Sequence, residues 1–194
     1  MINLSDYLKN EFGEKVYRLS LTSGCTCPNR DGLISTGGCT FCSEGGSGEF
    51  AANLRPINEQ ISEAKKWIQN KTNAKKFIAY FQSFTNTYGD PKTLEKLYRE
   101  ALSEEDIVAL SIGTRPDCLG GEILKMLENL RNSEFPVSSN LEEFANKSTN
   151  ENKDEIGNEG LKKTEESTEI KMVKKPVWIE LGLQTIHENT AKNI

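Results

Sequence analysis

Histidine and long apolar stretches are nearly absent from this sequence. His187 is the only histidine among 194 residues, which disfavours a serine–histidine–aspartate triad and a histidine-rich zinc site. No apolar run approaches the roughly 20 residues that a helix needs to cross a bilayer. The N-terminal segment lacks the basic region followed by an apolar stretch that marks a secretory signal. We therefore expect a cytoplasmic protein that has no membrane partner and whose cysteines stay reduced.

Positive charge is not in excess either. The chain has 24 lysines and arginines against 29 aspartates and glutamates, a formal net charge of -5. A field of this sign does not favour non-specific binding to nucleic acid or to an anionic membrane. The sequence also lacks a basic patch with interleaved aromatic residues. Nucleic acid is therefore a partner that the sequence does not support, although it does not exclude it.

Alternating strands and helices are predicted along most of the chain. The strands are expected at 15–21, 75–81, 107–113 and 176–184, and the helices at 1–14, 56–70, 90–103 and 121–132, with another helix beginning at His187. Strand, loop and helix in repetition imply a parallel sheet with right-handed crossovers. Three such units and a fourth strand do not close a barrel. We therefore expect an α/β fold that is the N-terminal part of a longer (β/α) protein.

Residues 133–175 break this pattern. They consist mainly of asparagine, glutamate, serine, threonine and lysine, with few large apolar side chains. Such a composition buries too little surface to offset the entropy cost of ordering the chain. We predict a disordered insertion between two parts of the core, residues 1–132 and 176–194. A solvated loop is the favoured interpretation of the insertion, and a functional lid is the alternative.

Four of the five cysteines lie in one glycine-rich segment. They are Cys25, Cys27, Cys39 and Cys42, and the fifth is Cys118. The C-x-x-C spacing of Cys39 and Cys42 lets two thiolates face one metal ion or one cluster, and Cys27 is near enough to be a third ligand. Thiolates select zinc or iron–sulfur clusters. The spacing alone leaves four alternatives open: an iron–sulfur site, a structural zinc site that includes Cys25, a dithiol redox pair, or buried thiols.

Polar clusters follow each of the four predicted strands. The cysteine segment follows the first strand, "QSFTNTYGD" the second and "SIGTRPDC" the third, and "ELGLQT" lies at the fourth. Chemistry in parallel (β/α) folds gathers where the carboxyl ends of strands meet loops. We therefore expect the four clusters to converge on one site.

These segments together resemble a known family. "CPNRDGLISTGGCTFC", "AYFQSFTNTY", "LSIGTRPDC" and "WIELGLQTIH" occur in this order and are similar to the YhcC-type bacterial radical S-adenosylmethionine (SAM) proteins, which are related to the elongator catalytic subunit. The common family spacing is C-x3-C-x2-C, and this chain has C-x11-C-x2-C; a widened first gap is also found in the elongator branch. Cys25 stands where the family has an apolar residue. The resemblance implies a partial TIM-like (β/α) barrel, incomplete at its C-terminus.

The resemblance also implies a chemistry. Cys27, Cys39 and Cys42 would hold a 4Fe-4S cluster whose fourth iron is open to S-adenosyl-L-methionine. An electron from a small flavodoxin- or ferredoxin-like donor would cleave SAM to a 5′-deoxyadenosyl radical, which takes hydrogen from a substrate that the sequence does not reveal. The alternative from another class is a zinc-binding structural or interaction module that uses Cys25 as a fourth ligand.

The SAM contacts that the resemblance implies come from all four strand ends. They are Phe41, Gln82, Thr85, Asn86, Ser111, Arg115, Glu180 and Gln184. Phe41 would shield the cluster, unless it is a core aromatic. The loop of Gln82 would bind the SAM amino group without the family's Gly-Gly-Glu-like turn. Arg115 would pair with a carboxylate of SAM or substrate, or instead with Asp117. Glu180 and Gln184 would contact ribose hydroxyls or the methionine part.

Overall fold

The computed structural model describes residues 3–46, 51, 53–138, 170–182 and 187–191. Numbered in chain order, its strands are β1 (Tyr17–Leu21), β2 (Phe77–Phe81), β3 (Ile107–Thr114), β4 (Glu134–Ser138), β5 (Ile170–Lys174) and β6 (Val177–Leu181). Its α-helices are α1 (Leu4–Phe12), α2 (Ile57–Gln69), α3 (Pro91–Leu102), α4 (Gly121–Asn132) and α5 (Glu188–Ala191), and Pro116–Cys118 form a 3-10 turn. Each strand and helix predicted from the hydrophobic pattern is confirmed, with ends that differ by a few residues.

Local sequence signals explain where the helices begin and end. Asp90 accepts a hydrogen bond from the Thr93 backbone N–H at 2.8 Å and precedes Pro91 at the first helical position of α3, an arrangement that suits a helix start. Asn3 caps α1 in the same way, and Gly13 ends that helix with φ of 75°. Glycine is favoured at such a left-handed position because it has no Cβ. These signals set the direction in which the chain enters the following strand.

Four strands form one parallel sheet in the order β1-β2-β3-β6. Leu21 of β1 pairs with Phe81 of β2, and Phe81 pairs with Ile112 of β3, whose register with β2 shifts by one residue between Phe77 and Ile78. The chain is therefore a mixed α/β protein with a parallel sheet, as the alternation of elements predicts. The sheet does not close into a barrel within the described residues.

The two faces of the sheet are covered unequally. Helices α2, α3 and α4 contribute Ile61, Tyr98 and Leu130 to the main core, which also contains Leu19 and Leu110 from the strands. The other face is covered near its amino edge by α1, whose Leu8 joins Ile78 and Ala109 in a second, smaller cluster. Parallel sheets normally have both faces covered. Towards the carboxyl edge, this second face instead carries polar side chains.

An ion pair joins the two outer strands across this second face. Arg18 on β1 and Glu180 on β6 lie on opposite outer strands, and their side chains form an ion pair at 2.9 Å. Adjacent strands lie about 4.8 Å apart, so the two long side chains reach towards each other over β2 and β3. The contact adds a link between β1 and β6, which do not pair directly.

The predicted insertion begins and ends in ordered strands. Strands β4 and β5 pair antiparallel, with Phe135 opposite Val173, and both lie within residues 133–175. Residues 139–169 lie outside the described residues. Helix α4 leads back from the carboxyl edge of the sheet, and β6 starts at the amino edge. The described ends of the insertion therefore lie towards the amino edge of the sheet, opposite to the edge that carries the cysteine segment.

No helix in the described parts of the chain combines the length and the apolar character needed to cross a membrane.

Candidate functional site

A cleft of about 570 Å³ lies at the carboxyl edge of the sheet. It is lined by residues from all four predicted strand ends: Cys27, Asn29, Cys39, Phe41, Cys42, Gly46, Tyr80, Gln82, Phe84, Thr85, Gly113, Thr114, Arg115, Pro116, Asp117, Glu180, Leu181 and Gly182. The expected convergence of the four polar clusters is therefore observed.

Backbone hydrogen bonds and one arginine fold the cysteine segment over this edge. The Cys42 backbone N–H donates to the Cys39 carbonyl at 3.0 Å and closes the turn between these cysteines. The Arg30 guanidinium donates to the carbonyls of Cys42, at 3.2 Å, and of Ser43. It also lies 5.4 Å from the centroid of the Phe84 ring. These contacts connect the first part of the segment to the C-x-x-C turn.

Cys39 and Cys27 lie within hydrogen-bond reach of side-chain donors at their sulfur atoms. The Asn29 amide Nδ2 lies 3.1 Å from Cys39 Sγ, and Arg115 Nη1 lies 3.7 Å from Cys27 Sγ and 2.9 Å from Asn29 Oδ1. Donors of this kind stabilise negative charge on sulfur. The sulfur atoms of Cys27 and Cys39 thus each have a polar side chain beside them.

Arg115 is also held by Asp117. Its Nε and Nη2 donate to the two carboxylate oxygens of Asp117 at 2.9 and 2.7 Å. This pairing lowers the pKa of Asp117 and raises that of Arg115. The salt bridge with Asp117, which the sequence analysis gave as the alternative role of Arg115, is therefore formed. The same guanidinium also contacts Cys27 and Asn29 of the cysteine segment.

Cys25 is separated from the other three cysteines of the segment. It packs against the main core and does not line the cleft. Its sulfur is so close to Gly89 that a Cβ added there would lie 3.3 Å from Cys25 Sγ. Burial raises the pKa of the Cys25 thiol, against a smaller opposing effect of its hydrogen bond with Ser23. The Cys25 thiol is therefore in a site that disfavours the thiolate.

Cys118 lies in a second groove, on the other side of the cysteine segment. This groove of about 510 Å³ is bounded by Pro28, Leu33, Ile34 and Tyr88 among others. Burial is the largest cause of a raised pKa at the Cys118 thiol. Among the described residues, no three histidine, cysteine, aspartate or glutamate side chains stand close enough together to hold a single metal ion.

Five of the eight predicted SAM-contact residues line the cleft. They are Phe41, Gln82, Thr85, Arg115 and Glu180. Phe41 is 50% exposed, so it is not a core aromatic. Ser111 is buried beneath the cleft and donates to Glu180 Oε1 at 2.6 Å. Gln184 lies outside the described residues.

Asn86 is placed in the interior rather than in the cleft. Its Nδ2 donates to the carbonyls of Phe81 and Gly113 at 3.0 and 2.9 Å, and its Oδ1 accepts from Ser23 at 2.6 Å. These bonds tie together the carboxyl ends of β1, β2 and β3. The side-chain groups of Asn86 are occupied by this network, so the structure does not place them in contact with a ligand in the cleft.

The sequence interpretation missed several residues at the cleft or next to it, among them Arg18, Asn29, Tyr80 and Phe84. The sequence does contain a signal for Arg18. Side chains alternate between the two faces of a strand, so Arg18 lies on the face opposite to the buried Leu19. Phe84 has a positive φ of 60°, which no sequence feature indicates. Asn29 lies between two cysteines that were chosen as ligands, so its position in the segment was the available signal.

Three comparisons place the chain among known proteins. It is 34% identical over 189 residues to the uncharacterized protein YtqA of Bacillus subtilis, which covers 97% of this chain and 46% of YtqA. It is 34% identical over 187 residues to the protein YhcC of Escherichia coli K12, covering 96% of this chain and 47% of YhcC. It is 38% identical over 126 residues to the uncharacterized protein MJ0486 of Methanocaldococcus jannaschii, covering 62% of this chain and 37% of MJ0486.

No family model matches the chain, and no solved structure is similar to it. The chain spans about half the length of YtqA and YhcC.

Proposed function

We propose that the chain is the N-terminal part of a radical SAM enzyme of the YhcC type. In this proposal Cys27, Cys39 and Cys42 hold a 4Fe-4S cluster, and the cleft beside them binds S-adenosyl-L-methionine. In the same proposal the four-stranded parallel sheet is the first part of a TIM-like barrel. When bound, the cluster supplies the electron that cleaves SAM to a 5′-deoxyadenosyl radical, after its own reduction by a flavodoxin- or ferredoxin-like protein.

One observation carries the proposal: the four cysteines of the segment divide into three and one. Cys27, Cys39 and Cys42 line the cleft, while Cys25 packs into the core with a raised thiol pKa. A site with three protein thiolates leaves one coordination position for a ligand, as catalytic metal sites require. The division therefore favours a reactive site over a closed structural one.

The position of Cys25 favours a cluster over a structural zinc ion. A four-thiolate zinc site needs Cys25, whose side chain packs against the main core. A 4Fe-4S cluster with one open iron needs three cysteines, each bound to a different iron. The donors beside the sulfur atoms of Cys27 and Cys39 are of the kind that tunes such clusters.

The other cleft residues would bind and orient the cofactor. The protein's part in cofactor chemistry is to orient the reactive group and exclude water. Arg115 and Asn29 form one wall and would fix the sulfur positions. Phe41, half exposed beside Cys42, would cover the cofactor from solvent. Gln82 and Glu180 lie at the ends of β2 and β6 and would offer polar contacts to SAM.

Anaerobic reconstitution with iron and sulfide tests the ligand assignment. The wild-type chain should turn brown, with about four irons per chain as three thiolates and an open site require. Cys27→Ala, Cys39→Ala and Cys42→Ala should each lose the colour and most of the iron. Cys25→Ala and Cys118→Ala are the matched controls and should keep both. Equal iron loss in Cys25→Ala would contradict the assignment of three ligands. Colourless protein that carries about one zinc after anaerobic purification, and that needs all four cysteines equally to hold it, would support the zinc module instead.

SAM cleavage tests the activity. Reconstituted protein reduced with dithionite should release 5′-deoxyadenosine, detected by mass spectrometry. A chain that continues past Ile194 over the length of YhcC should release more, because the sheet would be extended around the cofactor. Intact SAM with a fully loaded cluster in both chains would contradict the proposed reaction.

A further inference from the structure

One asparagine spans the widened gap between the first two cysteines of the cleft. Eleven residues separate Cys27 from Cys39. The Gly38 backbone N–H donates to the Asn29 carbonyl at 2.8 Å, and the Asn29 side-chain Nδ2 lies 3.1 Å from Cys39 Sγ. Because Asn29 lies two residues after Cys27, its main chain and its side chain together bring Cys39 back towards Cys27.

Much of the gap forms a side loop with hydrogen bonds of its own. The Ile34 backbone N–H donates to the Pro28 carbonyl at 2.8 Å, and the Ser35 hydroxyl donates to the Asn29 carbonyl at 2.7 Å. Leu33 and Ile34, at the tip of the loop, are 70% and 59% exposed. The placement of the two cysteines therefore depends on the base of the loop, where Asn29 lies, and not on its exposed tip.

Arg115 determines which way the Asn29 amide points. The oxygen of an asparagine amide accepts hydrogen bonds and its nitrogen donates them, while a guanidinium only donates. Arg115 Nη1 lies 2.9 Å from Asn29 Oδ1, so the nitrogen is the group that faces Cys39 Sγ. Asp117 holds the Nε and Nη2 atoms of Arg115 at 2.9 and 2.7 Å. The donor to Cys39 is therefore held in place by two further side chains.

A donor at this sulfur affects the charge that the site can carry. Hydrogen bonds to a negatively charged acceptor are stronger than those to a neutral one, so Asn29 favours the state in which the Cys39 sulfur is more negative. An iron–sulfur cluster becomes more negative when it takes up an electron, and hydrogen bonds to its sulfurs help to set its reduction potential. Asn29 should therefore favour the reduced state of such a cluster.

We propose that Asn29 is a positioning residue, which closes the gap between Cys27 and Cys39 and makes a metal centre at the cleft cysteines easier to reduce. The effect on reduction rests on the proposed function, because it requires a redox-active cluster. The closing of the gap applies to any metal that these thiolates bind. Asn29 acts through Cys39 in both respects, and Arg115 acts through Asn29, in addition to the carboxylate contact that the resemblance implies for it.

A redox titration tests the effect on reduction. Reconstituted protein is reduced stepwise with dithionite, and electron paramagnetic resonance measures the reduced fraction. Asn29→Leu keeps the approximate size of the side chain and removes the donor, so the equilibrium constant for reduction should fall about tenfold, which is about 59 mV for one electron. Asn29→Asp replaces the donor with an oxygen, and its fall should be at least as large. Asn58→Leu, at an exposed position of α2, is the control and should match wild type.

The same titration tests the part played by Arg115. In Arg115→Met the Asn29 amide is no longer oriented, so adding Asn29→Leu should cause a smaller further fall, about threefold or less. Fully additive falls would mean that Arg115 does not orient the donor. An unchanged potential in iron-loaded Asn29→Leu would overturn the effect on reduction. If Asn29→Leu takes up no iron, Asn29→Asp takes its place under the same criterion.

Cobalt(II) binding tests the closing of the gap without a cluster. Cobalt bound by thiolates is coloured, so titration of the metal-free chain gives a dissociation constant. Loss of a hydrogen-bond donor to a metal ligand weakens metal binding, and we expect about tenfold weaker binding in Asn29→Leu. Leu33→Ser changes the exposed tip of the same gap and should bind cobalt as tightly as wild type. Equal affinities of wild type and Asn29→Leu would show that Asn29 does not close the gap.

Iron content and cobalt affinity together separate this inference from the proposed function. A chain that holds a cluster but whose potential and cobalt affinity do not depend on Asn29 keeps the proposed function and loses the inference. A chain that takes up no cluster but binds cobalt in an Asn29-dependent way keeps the closed gap and loses the proposed function. A chain that binds neither iron nor cobalt contradicts both.

Discussion

At the scale of a single residue, the pKa of Tyr80 responds to the charges of Glu180 and Arg18 beside the cleft. Burial raises the pKa of its phenol, the nearby Glu180 carboxylate raises it further, and Arg18 lowers it. Glu180→Gln should therefore lower the pKa of Tyr80 towards its ordinary value, and Arg18→Met should raise it. Ultraviolet difference titration near 295 nm measures both, with Tyr80→Phe identifying the signal. Shifts of the same sign in the two variants would contradict the ion pair between Arg18 and Glu180.

Asn86 shows a second residue-scale effect, on stability. Its side chain makes three hydrogen bonds to the ends of three strands in a fully buried position. Asn86→Ala leaves these partners unsatisfied and should lower the free energy of unfolding by about 3 kcal/mol. Asn58→Ala, at an exposed position of α2, should change it by less than about 0.5 kcal/mol. Urea unfolding compares them; similar midpoints would show that Asn86 does not hold the strand ends together.

The sequence identified residue types at the site better than their individual roles. Cys27, Cys39, Arg115 and Glu180 all lie at the cleft as expected from the positions of the strand ends. Asn86 is equally polar and lies in the same loop as Thr85, yet it points into the interior. Loop residues have no fixed periodicity, so direction cannot be read from spacing there. On strands the period of two does give direction, and Arg18 follows it.

At the scale of an element, the conformation of the cysteine segment requires glycine at position 38. Gly38 has φ of +74°, and a Cβ there would lie 2.9 Å from Arg30 Nε. Gly38→Ala should destabilise the segment by about 1 to 2 kcal/mol, because the left-handed conformation is strained for alanine. Gly37 has open space around it and no positive φ, so Gly37→Ala is a matched control. Limited proteolysis of the segment should be faster in Gly38→Ala; equal rates would contradict this requirement.

Lys175 links the end of α3 to the start of β6 and makes stability depend on pH. Its buried Nζ donates to the carbonyls of Leu102 and Glu104 at 2.7 and 2.9 Å. Burial lowers its pKa to about 8 from 10.5, so the folded chain releases the proton at lower pH than the unfolded chain does. The stabilisation that comes from this lowered pKa is fully present above about pH 10.5, and it is lost as pH falls through about 8.

Wild type should therefore gain stability between pH 8 and 10.5 relative to Lys175→Met, by up to about 3 kcal/mol. Urea unfolding at several pH values measures this difference. Lys125→Met, at an exposed position of α4, is the control and should follow wild type. A difference between wild type and Lys175→Met that is constant with pH would show that Lys175 has an ordinary pKa in the folded chain.

At the scale of the whole molecule, the order of strands and helices was predictable and the contact between the outer strands was not. Apolar runs such as Phe77–Phe81 and Ile107–Thr114 mark buried parallel strands, and Asp90 with Pro91 marks a helix start. The pairing of β4 with β5 was missed because both lie within a polar segment, and Phe135 is the one side chain of the pair in the main core. The ion pair between Arg18 and Glu180 joins residues 162 positions apart in the chain, and local patterns do not encode such a contact.

The last prediction concerns the two outer strands, β1 and β6, and the part of YtqA and YhcC that this chain does not cover. β1 and β6 each pair with one neighbour in the described sheet, and Ile179 and Leu181 on β6 are 37% and 51% exposed. If the proposed barrel closes in a chain that continues past Ile194, the outward backbone amides of both strands gain hydrogen-bond partners. Their hydrogen exchange should then slow by at least about tenfold, since each tenfold corresponds to about 1.4 kcal/mol of protection. Amides of β2, which pairs on both sides, should change little. Equal exchange of β1 and β6 in the shorter and longer chains would mean that the additional residues form a separate unit and leave the sheet open.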